Sequence, residues 1–194
     1  MTDATHPEPA PEIRLDARAI RGVAHPLRVR ILDLLRRGGP ATATMLAERL
    51  GQSSGATSYH LRQLAAHGFV VEDPERGTAR ERWWRAAHRS THLVSTDDVD
   101  LADAELYMRA VAERDALRTQ AAIGELAAMS PEWRSAFSIR SHALMLTVDE
   151  ALELGRELAA VFARYRRDDE GEAPEGARQV SAAMQILPQT GGRL

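Results

Sequence analysis

The feature that most limits what this chain can fold into is a pair of short helical patterns joined through one glycine. Before Gly51, Leu46, Ala47 and Leu50 share one side of a segment from Met45 to Leu50, which Thr42 or Thr44 can cap. After it, Ser53 caps a longer segment that runs to His67. Within that segment Thr57, Leu61 and Leu64 recur at i, i+4 and i+7 and fall on an inward face. Ser54, Ser58 and Arg62 recur on a second, donor-rich face, flanked by Gly55 and Tyr59.

The flanks agree with this pair. Ile13, Leu15, Ile20 and Val23 suggest a short helix upstream, and Pro26 fits the first position of a second helix with Leu27, Ile31, Leu34 and Leu35 on one stripe. Gly38-Gly39-Pro40 ends it. Downstream of Gly68, Phe69 to Glu72 reads as a strand, Asp73 to Thr78 as a turn and Ala79 to Arg85 as a returning strand. Two helices on a Gly turn followed by a hairpin make a helix-turn-helix with a wing. Arg76, Arg80 and Arg82 then lie at the tip and on the return strand, where they suit phosphates or a minor groove.

Charge separates along the chain in the same sense. The net charge of -3 divides into +7 for residues 14–89, -7 for residues 90–194 and -3 for residues 1–13. One half therefore suits a polyanion and the other does not. The absence of cysteine removes disulfides, thiolate zinc sites and a thiol nucleophile. There is no P-loop, GxGxxG, HExxH or GxSxG pattern, so no enzyme class is suggested and no cofactor is expected. Residues 1–13, acidic and Pro-rich, read as a disordered tail without a signal-peptide pattern. No apolar run approaches the roughly 20 residues of a membrane span, and the expected location is the cytoplasm.

Taken together, His25-Pro26-Leu27-Arg28-Val29-Arg30-Ile31-Leu32, Leu46-Ala47-Glu48-Arg49-Leu50-Gly51, Ser58-Tyr59-His60-Leu61-Arg62-Gln63-Leu64, Gly68-Phe69-Val70 and the Arg-rich wing resemble the arsenical-resistance repressor (ArsR) type of winged-helix regulator. The resemblance spans about residues 16–88. It implies a homodimer that binds double-stranded DNA at a pseudo-palindromic operator, usually as a repressor, with relief by an effector. On that basis Ser53, Ser54, Gly55, Ser58, Tyr59, His60, Arg62, Arg76, Arg80 and Arg82 are the expected DNA-binding residues. His60 matches the family's histidine, either at phosphate or at the boundary with the domain core. The family's Cys-containing metal motif falls where this chain reads Met45-Leu46-Ala47-Glu48, and its Asp/His site on the dimer helix has no histidine here between Asp98 and Ala127.

Beyond the wing, His88 to Ser95 continues as a strand and a long helix follows from about Asp98 to Ala127, with Asp97, Asp98 and Asp100 at its start. Its Leu101, Ala104, Met108 and Val111, with Leu15 and Ile20 of the first helix, are the expected dimerisation residues; packing within one subunit is the alternative. His88 and His92 share a face and with His142 could form a trigonal metal site, although unrelated histidines are the preferred reading. Trp83 and Trp84 alternate, one inward and one outward. Phe137 to Leu146 and Val180 to Ile186 read as strands. Between them Thr147 and Glu150 form a capping box that opens an apolar helix to about Arg166, and 167–176 reads as a loop.

The expected protein is α+β, mainly helical with a small β component. It has a tail (1–13), a winged helix-turn-helix DNA-binding domain (14–89) and a helical C-terminal region (90–194) with a few extra strands, for dimerisation and possible binding of a small-molecule effector. The function expected is that of a homodimeric, sequence-specific transcriptional regulator, and the alternative is a winged-helix protein-interaction module without DNA binding.

Overall fold

The computed structural model describes residues 10–76, 81–93, 99–165 and 173–189. These fall into two units, one reaching to Gly124 and the other starting at Glu125. In order, the first contains β1 (Ala10–Arg14), α1 (Ala17–Val23), α2 (Pro26–Gly38), β2 (Ala41–Thr42), α3 (Ala43–Leu50), α4 (Ser54–Ala66), β3 (Val70–Glu72), β4 (Trp83–Ala86), β5 (His88–His92) and α5 (Leu101–Gly124). The fold is α+β and mainly helical. No described helix is long and apolar enough to cross a membrane.

Local chemistry sets the helix ends. Asp16 caps α1 by accepting from the Arg18 and Ala19 amides, His25 Nδ1 accepts from the Leu27 amide ahead of Pro26, and Thr42 caps α3. The helices enclose a core in which Ile20, Ile31, Leu46, Leu61, Leu64 and Phe69 are fully buried. A three-stranded sheet in the order β2-β4-β3 closes one side, antiparallel throughout. Trp84 turns into the core and Trp83 is half-buried, as strand alternation requires.

Several expectations need correction. Residues 10–13 are not a tail: they lie in β1, which pairs in parallel with β5 in the register Ile13↔Thr91. A parallel pair between distant segments has no local sequence signal. Helix α5 packs with the first unit rather than beginning a separate region at residue 90, because Ala104, Tyr107 and Ala110 bury against α1 and α2. Arg118 of α5 also donates to Asp33 of α2. Leu15, Ile20 and Ala104, expected at a dimer interface, lie instead in the chain's own core. Val111 is half-buried against that core, while Leu101 (70% exposed) and Met108 (49%) face outward.

The described residues of the second unit contain a 3-10 turn (126–128), α6 (Pro131–Ala136) and α7 (Val148–Phe162). The capping box forms: the Thr147 amide donates to Glu150 Oε2 at 2.7 Å and the Glu150 amide to Thr147 Oγ1 at 3.3 Å. The strands expected at 137–146 and 180–186 are absent; both stretches run without helix or ladder, since alternation makes a strand only where another strand pairs with it. Most of the loop expected at 167–176 lies outside the described residues.

Candidate nucleic-acid interface

The α3-turn-α4 geometry follows from three residues. Gly51 takes up the left-handed conformation (φ 64°) and its amide satisfies the Ala47 and Glu48 carbonyls at the end of α3. Ser53 accepts from the Ala56 amide at 3.2 Å and starts α4 without delay, with Gly55 inside its first turn. Thr57 is wholly buried and donates to the Ser53 carbonyl at 3.1 Å, which pins the start of α4 to the core. With Leu61 and Leu64 it fixes which side of the helix faces in.

The opposite side is the one the sequence singled out. Ser54, Gly55 and Arg62 are exposed, Tyr59 is 52% exposed and Ser58 half-buried. Apart from α4's own backbone and the adjoining residues, nothing lies within 4 Å of where a Gly55 Cβ would sit, so the helix faces open space there. Hydroxyls, a phenol and a guanidinium on one helical face offer the donors and acceptors that base edges and phosphates require.

His60 sits at the boundary with the domain, one of the two places the sequence leaves open for it. Its ring lies 4.5 Å from His25 at the start of α2, tilted by 41°, and 5.2 Å from Tyr59 in an edge contact. Burial, then the neighbouring His25 and Arg28, holds its pKa below the usual histidine value, and burial followed by Arg28 does the same for His25. Arg28 itself donates to the Arg21 and Gly22 carbonyls at 3.0 and 3.1 Å, capping the end of α1. His60 therefore sets α4 against the start of α2. This backing of His25 and Arg28 was missed in the sequence, where His25 registers only as a helix boundary; its place before Pro26 was the available signal.

The wing is a short ladder with Val71 opposite Arg85, extended by the Asp73 amide donating to the Trp83 carbonyl at 2.8 Å. Arg82 sits on it as expected, yet its guanidinium is 3.0 Å from Glu72 Oε1 across the strands. Arg76, half exposed near the tip, lies 3.7 Å from the buried Asp73 carboxylate. Glu72 was overlooked because pairing across strands depends on register, whereas Asp73, three residues before Arg76 in the same turn, was open to a local reading. Arg80 lies outside the described residues.

The three histidines considered for a metal lie on separate parts of the chain. His88 is half-buried on β5, with its pKa lowered by burial and then by Arg36; the side chain of His92 is outside the described residues, and His142 is exposed in the second unit. Among the described residues no group of three His, Asp or Glu side chains could hold an ion.

Comparison with known proteins fits the α3-turn-α4 geometry. A family model described as a helix-turn-helix domain matches residues 23–73. The chain carries a helix-turn-helix domain. No curated protein matches it. Among solved structures, it is similar to the winged helix-turn-helix DNA-binding domain of Mb0332 from Mycobacterium bovis, described as homodimeric and a possible ArsR-family regulator. That likeness is 23% identical and covers 51% of this chain and 77% of the other, with a TM-score of 0.34. A mutant ZitR from Lactococcus lactis in its apo form is 16% identical over 74% of this chain and 84% of its own (TM-score 0.33). The adhesin competence repressor AdcR from Streptococcus pyogenes is 17% identical over 71% and 78% (TM-score 0.32).

Proposed function

We propose that the protein is a sequence-specific DNA-binding transcriptional regulator, a homodimer that represses from a pseudo-palindromic operator in the cytoplasm and is released by a small effector. The observation that carries this reading is the outward face of α4, where Ser54, Ser58, Tyr59 and Arg62 stand together on a helix whose other side is locked into the core. The net positive balance of residues 14–89 supports it. In this reading α4 enters the major groove, Arg62 reads a base, and Arg76, Arg80 and Arg82 meet the backbone. Two copies related by a two-fold axis place their α4 helices about one helical turn, roughly 34 Å, apart or a multiple of it. Leu101 and Met108 on the outer side of α5 are where the copies meet.

The test is a pair of variants measured on an operator obtained by in vitro selection. Arg62→Ala relaxes preference at one base pair of each half-site, costing about 1–3 kcal/mol there. Arg82→Ala weakens binding to every sequence and lowers the salt slope by about 1. A protein-interaction module would show no affinity for duplex DNA even at low salt. That result, or wild-type behaviour of both variants, would end the assignment.

A further inference from the structure

In the second unit the apolar side chains have nowhere to go. Not one of its described residues is buried, although α7 is capped, strongly two-sided and lies beside the segment 177–189, where a Cβ on Gly155 would be 3.5 Å from Ile186. Twelve large apolar residues of the unit stand exposed, among them Ile139, Met145 (91%), Val148 (75%), Leu152, Val180 and Leu187. Ordering the backbone costs conformational entropy that a segment without a core cannot recover. A fold in this condition needs a cover.

We infer that the cover is the same unit of a second copy of this chain, with α7 packing antiparallel against its counterpart and the segments 138–146 and 177–189 joining the shared core. The inference rests on the homodimer reading above, which supplies the second copy. Three observations select that occupant. The exposed apolar surface is on the order of 1,000 Å² per copy, enough for an interface of standard size, which takes roughly 800 Å² from each partner. It is spread over a helix and two extended segments, which suits a macromolecular face more than a pocket for a small molecule.

The second observation is the spacing on α7. Val148, Leu152, Ala159 and Phe162 are exposed and share one side of α7 at the spacing of a helix–helix seam, with the small Ala159 allowing close approach, while Gly155 beside them is lined by Ile186 of the same unit. The third is charge. Asp149, Glu150 and Glu153 occupy the start of α7, and Arg164 follows its end. Antiparallel pairing sets the acidic start of each helix against the basic end of the other, a self-complementary arrangement of the kind a two-fold interface requires.

The chain lacks cysteine, so single-cysteine variants of the full-length protein give a clean readout. Ala159→Cys, on the seam, is expected to give a covalent dimer with a short bis-maleimide, and Glu153→Cys, on the polar side, is not. Leu152→Glu combined with Phe162→Glu is expected to raise the dimer Kd in sedimentation by at least about 100-fold, since each change counts twice across a two-fold axis. Met108→Cys on α5 separates the possible failures. If the protein sediments as a dimer and Met108→Cys cross-links while Ala159→Cys does not, the second unit is covered by something else and the inference is overturned with the homodimer intact. A chain that sediments as a monomer and cross-links at neither position overturns both.

Discussion

Gly22 sits near the end of α1 with its Cα facing the ring of His67, the residue that closes α4. A Cβ built there would lie 2.3 Å from His67 Cγ, 2.5 Å from its Cβ and 2.8 Å from Nδ1. Carbon atoms in contact prefer about 3.5–4.0 Å, so Gly22→Ala forces a separation of more than about 1 Å. Turning the His67 ring cannot provide it, because one of the crowded atoms is its Cβ and moves only with the backbone. Either α1 or the end of α4 must shift. Overpacking of this kind costs about 1–3 kcal/mol. Alanine gains about 1 kcal/mol over glycine in a helix, which leaves a net loss of roughly 0–2 kcal/mol. The assay is denaturant unfolding of four proteins: wild type, Gly22→Ala, His67→Gly and the double variant. The double-mutant cycle is expected to show a coupling of about 1–3 kcal/mol, with Gly22→Ala neutral or stabilising once the whole His67 side chain, Cβ included, is gone. Because the strain falls on α4, Gly22→Ala is also expected to weaken operator binding more than His67→Gly does. Equal cost of Gly22→Ala in both backgrounds would refute the packing argument.

Two further predictions concern groups that hold the same helices. His25 and His60 have pKa values below the ordinary 6.5, so the unfolded chain takes up protons that the folded one refuses; stability is full above about pH 6.5 and falls as the pH drops from there toward the folded values. His60→Gln, or His25→Asn, which keeps a helix cap, is expected to flatten unfolding midpoints between pH 6.5 and 5, and a slope unchanged in both variants would contradict the pairing. Arg36 on α2 donates from Nε to the His88 carbonyl at 2.9 Å and from Nη2 to Thr91 Oγ1 at 2.6 Å, with burial lowering its pKa to about 10. Arg36→Met leaves both acceptors unpaired and is expected to cost about 2 kcal/mol in chemical denaturation and to speed amide exchange in β5 first; an unchanged β5 would show that the guanidinium does not hold it.

What was legible in the sequence is what local chemistry fixes. Pro26 at a helix start, Gly51 in the left-handed turn, Ser53 as a cap and the Thr147–Glu150 box depend on residues no more than a few positions apart, and each is formed. The inward side of α4 was legible for the same reason: Thr57, Leu61 and Leu64 repeat with the helical period and nothing else on that helix competes with them. Helix α5 shows the limit. It has apolar residues on more than one side, and only docking on α1 and α2 selects Ala104, Tyr107 and Ala110 over Leu101 and Met108.

The sequence by itself therefore determined a helix-turn-helix with a wing and the polar face of its second helix, because helical periodicity and caps act over one or two turns. The tertiary structure alone decided the parallel pairing of β1 with β5, the Arg82–Glu72 pair, the turning of His60 onto His25 and the clash waiting at Gly22. Each joins residues that meet only after the chain has folded back on itself, and the free energy of such a meeting depends on register and docking rather than on any neighbour in the sequence.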